Sequence, residues 1–168
     1  GDLILRFSPA SKKKRSEIEA ELTWTRFLND RQLNVNEVVP TPSGQVCTEH
    51  RVAGQLLYLV VFRKCPGDTC KQADWNTAHY AQLGNLAGQL HRSSLEFHDQ
   101  VDDCFPHWHQ HSKAAVMATL VRDERDLPKL LQQLTERFQQ LPVGPDAYGV
   151  IHYDIHHGNY FLQRGQPG

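Results

Sequence analysis

No apolar run in this sequence approaches the roughly 20 residues that span a bilayer, so no membrane-crossing helix and no membrane partner are expected. Its first residues, Gly1-Asp2-Leu3-Ile4-Leu5-Arg6, lack the basic lead and long apolar core of a secretory signal. They also lack an initiating Met, which implies either processing or a start inside a longer protein. Cysteine is sparse: Cys47, Cys65, Cys70 and Cys104 do not make a disulfide scaffold in 168 residues. Cys65 and Cys70 are spaced more loosely than C-x-x-C, and no second pair completes four metal ligands. Free thiols in a reducing, cytoplasmic compartment are the expectation. Excess charge is missing too. A net charge of -1 gives no electrostatic case for nucleic acid as a partner. Internal repeats and low-complexity tracts are absent.

The remainder is ordinary for a globular protein, with 39% hydrophobic and 22% charged residues. Its length suits one domain or two small lobes. Ten histidines stand out. In His107-Trp108-His109-Gln110-His111, His107 and His111 share a helical face at i, i+4 and form a conceivable metal pair. No Glu of an H-E-x-x-H pattern and no third ligand accompany them, so a solvated histidine cluster is the expectation.

Periodicity divides the chain in two. Leu3-Ile4-Leu5-Arg6-Phe7 predicts a short strand, stopped by Ser8-Pro9. The basic run Lys12-Lys13-Lys14-Arg15 reads as a solvated lead-in to a helix from Ser16 to about Arg31, with Ser16 as N-cap. Glu17 and Glu19 suit its first turn, and Glu21 shares a face with Thr25 and Leu28, so it can point inward. Pro40-Thr41-Pro42-Ser43-Gly44 marks a hairpin-like turn. Residues 56–62, apolar on both faces, predict a central strand. It ends at Arg63-Lys64-Cys65-Pro66-Gly67-Asp68, a linker and the candidate lobe boundary. Beyond it, helical spacing predicts helices over about 74–94, 116–121 and 126–140.

The most informative segment is His152-Tyr153-Asp154-Ile155-His156-His157-Gly158-Asn159, between the apolar runs Gly149-Val150-Ile151 and Tyr160-Phe161-Leu162. It fits H-x-D-x-x-x-x-N, in which Asp receives a substrate hydroxyl proton and Asn holds a metal ion. A tight loop between two strands, with Gly158 giving backbone freedom, aims both side chains at one phosphoryl group. A histidine-rich polar turn is the plainer alternative.

These segments, in this order, resemble the aminoglycoside phosphotransferase and choline kinase-like group of small-molecule kinases, the phosphotransferase enzyme family. The resemblance covers nearly the whole chain, through residues 3–7, 19–28, 39–44, 83–91 and 151–162. It implies an α+β, protein kinase-like two-lobed fold: residues 1–64 as an N-terminal lobe incomplete at its start, and 65–168 as a helical C-terminal lobe truncated at its end. It makes Asp154 the residue that orients the acceptor hydroxyl, Asn159 a Mg2+ ligand and His152 a brace for the loop. Arg6 and Glu21 take the place of the phosphate-binding cation and its helix acid, and Arg63, Lys64 and Cys65 would face adenine. The implied cofactors are ATP or GTP with Mg2+. The implied partners are that nucleotide and a small-molecule hydroxyl acceptor, whether aminoglycoside, homoserine, choline or sugar-like.

Departures from the family pattern carry weight. Arg6 stands where many members have Lys, and Tyr153 where most have Gly. The family's second metal-binding Asp and its nucleotide-covering hairpin would lie beyond the two ends. The isolated chain is therefore expected to be nearly inactive, and a catalytically inactive kinase-like binding protein is the alternative for the whole.

Overall fold

A computed structural model describes residues 2–71, 74–97, 105, 107–108, 127–144, 147–163 and 166–167. The central element is β4 (Gln55–Arg63), nine residues rich in β-branched and aromatic side chains. β1 (Leu3–Pro9) runs antiparallel along one edge of it, with Arg6 opposite Val60 and Ile4 opposite Phe62. Its other edge is shared by β2 (Glu37–Val39) and β3 (Thr48–Val52). The turn at residues 40–44 exists, held by Gly44 N–H to Thr41 O at 2.8 Å. It is not a hairpin, because the strands flanking it both pair with β4. The hairpin is instead at Ala53-Gly54, where φ values of 48° and 79° fit a two-residue turn.

Helix α1 (Arg15–Asp30) packs on this sheet. It begins before Ser16: Lys14 is the N-cap, and the Glu17 carboxylate reaches back to accept its N–H at 3.0 Å. Ile18 and Leu22 sit one above the other and join Val38, Cys47, Val60 and Phe62 in one buried cluster. Among the described residues that is the face of β4 a helix covers, and Leu5 and Phe7 on the neighbouring strand are 46% and 56% exposed. Trp24, Phe27 and Leu28 turn the other way, against Leu90 and Phe97 of α2 (Thr77–Phe97). Phe97 is 1% exposed, its ring 4.7 Å from Phe27 and 4.8 Å from Trp24. α1 thus belongs to two cores at once, which ties the sheet to the helical part.

α2 starts later than its apolar spacing predicts because Asn76 caps it, taking the His79 N–H on Oδ1 at 3.0 Å. Helix α3 (Leu127–Gln139) lies where the leucine spacing places it. Two further strands, β5 (Asp68–Thr69) and β7 (Gln166–Pro167), flank β6 (Phe161–Gln163) on either side. The expected strand before the motif does not form. Residues 149–151 pair with no strand among the described residues, and Val150 packs on the Trp24–Phe97 cluster instead. The helix expected at 116–121, together with Cys104, His109 and His111, lies outside the described residues.

Candidate active site

Residues 152–159 form an irregular, exposed loop running into β6. Its entrance is fixed by close approach. A Cβ on Gly149 would come within 2.3 Å of Ser94 Oγ on α2, so any larger residue there would require the Ser94 hydroxyl to turn away. Gly158 acts the same way and not, as expected, through unusual backbone angles. Its N–H donates to His156 Nδ1 at 3.1 Å, and a Cβ would meet that ring at 2.9 Å.

Asp154 and Asn159 meet inside this loop. Asn159 Nδ2 donates to the Asp154 backbone carbonyl at 2.9 Å and to its carboxylate Oδ2 at 3.1 Å. The Asn159 N–H donates to the His156 carbonyl at 2.8 Å. With both amide hydrogens directed at Asp154, Asn159 Oδ1 is the atom left to coordinate a cation. His152 Nδ1 accepts the Asp154 N–H at 3.4 Å, a long bond. His156, which the motif left without a role, places Nε2 3.6 Å from Asp154 Oδ2. Its Nδ1 is an acceptor, so the proton of the neutral ring belongs on Nε2, facing the carboxylate. Tyr153 stands at φ 68°, a left-handed conformation that bulky side chains seldom adopt. That angle explains why glycine suits this position.

The second group of charges lies on β1 and α1. Arg6 and Glu21 meet, Nη1 donating to Oε1, and Lys13 Nζ donates to the other carboxylate oxygen. Lys13 was read as solvated lead-in. The turn after β1, where the Lys12 and Lys13 N–H groups bond Pro9 O, folds it back over the helix. Burial opposes ionisation of Glu21, but the hydrogen bonds and charges of Lys13 and Arg6 outweigh it and hold the carboxyl below the usual glutamate range. The Arg6 guanidinium lies 5.1 Å from the Phe62 ring centroid. Its Nε and Nη2 are shielded from solvent and have no acceptor among the described residues. Such orphaned donors fit an anionic group brought by a ligand.

The expected adenine-facing residues are only partly available. Arg63 Nε bonds Glu37 Oε2 at 2.7 Å across the strands, and the Lys64 N–H is taken by Asp2 O at 2.9 Å. Cys65 Sγ contacts Asn36 Oδ1 at 2.7 Å. No backbone hydrogen bond uses the Cys65 N–H among the described residues, so it is open to a base. Cys47, Cys65 and Cys70 are free thiols, and burial raises the pKa of the first two. The described residues contain no helix long and apolar enough to cross a membrane and no His/Cys/Asp/Glu group able to hold a metal. His107 Nδ1 is instead 2.8 Å from the Tyr148 hydroxyl.

Beneath the loop lies a polar cluster that sequence spacing gives no sign of. The Tyr160 hydroxyl is 2.8 Å from His79 Nε2 and donates to Cys70 Sγ at 3.5 Å. Burial and the Cys70 contact push the Tyr160 hydroxyl up to about 12, so it stays protonated at neutral pH.

Comparison with known proteins places the chain in a family and a fold. The chain is 24% identical over 166 residues to amicoumacin kinase of Bacillus subtilis (strain 168), covering 97% of this chain and 49% of that protein. The structure of amicoumacin kinase hAmiN in complex with AMP-PNP, Ca2+ and Ami superposes with a TM-score of 0.87 at 25% identity, over 98% of this chain and 50% of that one. A microcompartment-associated aminopropanol kinase shares the fold, with a TM-score of 0.60 at 22% identity over 95% of this chain and 53% of its own. The chain thus spans about half the length of these relatives and has the protein kinase-like fold in part. The family model matches residues 1–168 throughout, and the chain belongs to the phosphotransferase enzyme family.

Proposed function

We propose that the protein containing this chain transfers the γ-phosphate of ATP or GTP to a hydroxyl of a small molecule. The observation that carries this reading is the Asp154–Asn159 contact, which joins a hydroxyl-orienting carboxylate to a metal-binding amide on one exposed loop. Phosphoryl transfer demands positioning and charge neutralisation more than covalent chemistry. Asp154 Oδ2 is held by Asn159, and its other oxygen is left to take the acceptor O–H. Asp154 would orient the hydroxyl and receive its proton in the course of transfer. His152 braces the Asp154 backbone. Asn159 would hold Mg2+, which when bound offsets the charge of the triphosphate. Arg6, fixed by Glu21, would direct its spare donors to the phosphates, and the Cys65 N–H would meet the base. Residues 1–64 and 65–168 would act as the two lobes. Free thiols suit a cytoplasmic setting. A kinase-like binding protein without activity would have no need of a hydroxyl-orienting Asp154 held by Asn159, whereas the Arg6 donors would serve nucleotide binding in either case.

The test is the full-length protein incubated with ATP or GTP, Mg2+ and a panel of amino-alcohol, aminoglycoside and sugar acceptors. Acceptor-dependent, Mg2+-dependent nucleotide turnover is expected. Nucleotide binding without turnover on any acceptor class would establish the binding protein instead.

A further inference from the structure

The loop's own hydrogen bonds fix Asn159 relative to Asp154 and His156, but they do not by themselves tie those three residues to the rest of the protein. Something else must fix the loop relative to the rest of the protein. The chain's next residue does so. Tyr160 is 8% exposed, the first buried residue after the loop, and its ring lies 5.5 Å from His79. His79 is 4% exposed in the first turn of α2, where its own backbone is capped by Asn76. Cys70, 8% exposed, follows directly on β5 and completes the triangle, with Sγ 3.8 Å from His79 Nε2. An apolar ring would fill this space with less desolvation. A hydroxyl bonded on two sides, by contrast, allows a single ring position.

We propose that His79 and Cys70 act through Tyr160 as positioning residues for Asn159, and so set the affinity of the nucleotide-bound divalent cation. The inference rests on the phosphotransferase reading, since it needs Asn159 as a cation ligand. Tyr160 is buried and would act only through its neighbour. It anchors the peptide that carries the ligand, as outer-shell partners of metal sites do, and removing such a partner costs about 10-fold or more in metal affinity.

The experiment is a calorimetric titration of Mn2+ into the full-length protein saturated with a non-hydrolysable ATP analogue. Tyr160→Phe, which keeps the ring, should weaken Mn2+ binding about 10-fold while nucleotide affinity without cation stays within about twofold. His79→Gln, whose amide still reaches the hydroxyl, should keep most of the affinity that His79→Leu loses. In an Asn159→Ala background Tyr160→Phe should have no further effect, which separates positioning from general stability. Cys70→Ala carries the same test if Tyr160→Phe does not fold. Unchanged Mn2+ affinity in Tyr160→Phe, or an equal loss with Asn159 already removed, overturns the inference and leaves the phosphotransferase reading standing. Absence of Mn2+ binding to the nucleotide-saturated wild type overturns both.

Discussion

The two groups of chemistry-bearing residues are built in opposite ways. Arg6 and Glu21 are on a strand and a helix, with side chains 31% and 32% exposed, and neither can shift without disturbing the ladder or the α1 packing. Asp154 and Asn159 are on an irregular loop, the Asp154 side chain 69% exposed, held by short-range hydrogen bonds and one buried tyrosine. The first site is part of the fold, so its geometry and the protein's stability are one property. The second is carried by the fold and can be altered without unfolding it. That contrast suits the proposed chemistry: a fixed charge receives the nucleotide, and a solvent-facing loop admits different acceptors.

Asp154→Asn gives the largest expected effect. Transfer by the full-length protein should fall by about 10^3-fold or more, while nucleotide affinity and melting temperature stay near wild type. The split follows because Asp154 is exposed and, on the proposed reading, acts on the acceptor rather than on the nucleotide. Loss of stability alongside activity would mean the loop belongs to the fold after all.

Glu21→Gln should behave in reverse. It leaves Arg6 and Lys13 without their carboxylate in a half-buried setting, and a stability loss of about 1–2 kcal/mol is expected after allowance for solvent screening. The KM for nucleotide should rise more than kcat falls, because Arg6 loses its anchor. Acid titration checks the same ion pairs. The folded-state pKa of Glu21 lies below its unfolded value, so its contribution is fully present above the ordinary glutamate value of about 4.3 and is lost as pH falls through the lower folded value. The wild type's advantage over Glu21→Gln should therefore be flat near neutrality and shrink under acid. An advantage that persists at low pH would show that packing, not charge, holds this region.

What the sequence made legible follows the same division. The β1–β4–α1 unit was readable because its residues obey strand and helix periods, and Glu21 could be placed inward by its face alone. The Asp154–Asn159 pair was readable from spacing, since the contact is local. Lys13 was misread because a basic run looks solvated until the turn after Pro9 folds it over α1. At residues 149–151 Val150 packs on the Trp24–Phe97 cluster rather than entering a ladder, a tertiary contact that its own segment does not announce. His79 and Tyr160 are far apart in sequence, and no periodicity joins them. His156 lay in plain view within the motif, but its ring direction depends on Gly158 offering an N–H with no side chain in the way.

The smallest effect belongs to Tyr153, and it sharpens the comparison most. Its φ of 68° is a left-handed conformation costing about 1–2 kcal/mol for a residue with a Cβ. Tyr153→Gly would relieve that strain, while the added freedom of glycine in the unfolded chain takes back about 0.4–1 kcal/mol. A net gain of about 0.5–1 kcal/mol in denaturant unfolding is expected. That gain would be unusual for a substitution to glycine, and it makes sense only if the backbone here is strained. The ring is 47% exposed and adjoins Asp154 in sequence, so on the proposed reading it would narrow the acceptor site. Its removal should therefore lower KM for the bulkier acceptors in the panel while leaving the nucleotide KM alone. If Tyr153→Gly is destabilised instead, packing of the ring outweighs the strain, and the loop depends on its side chains more than its exposure suggests.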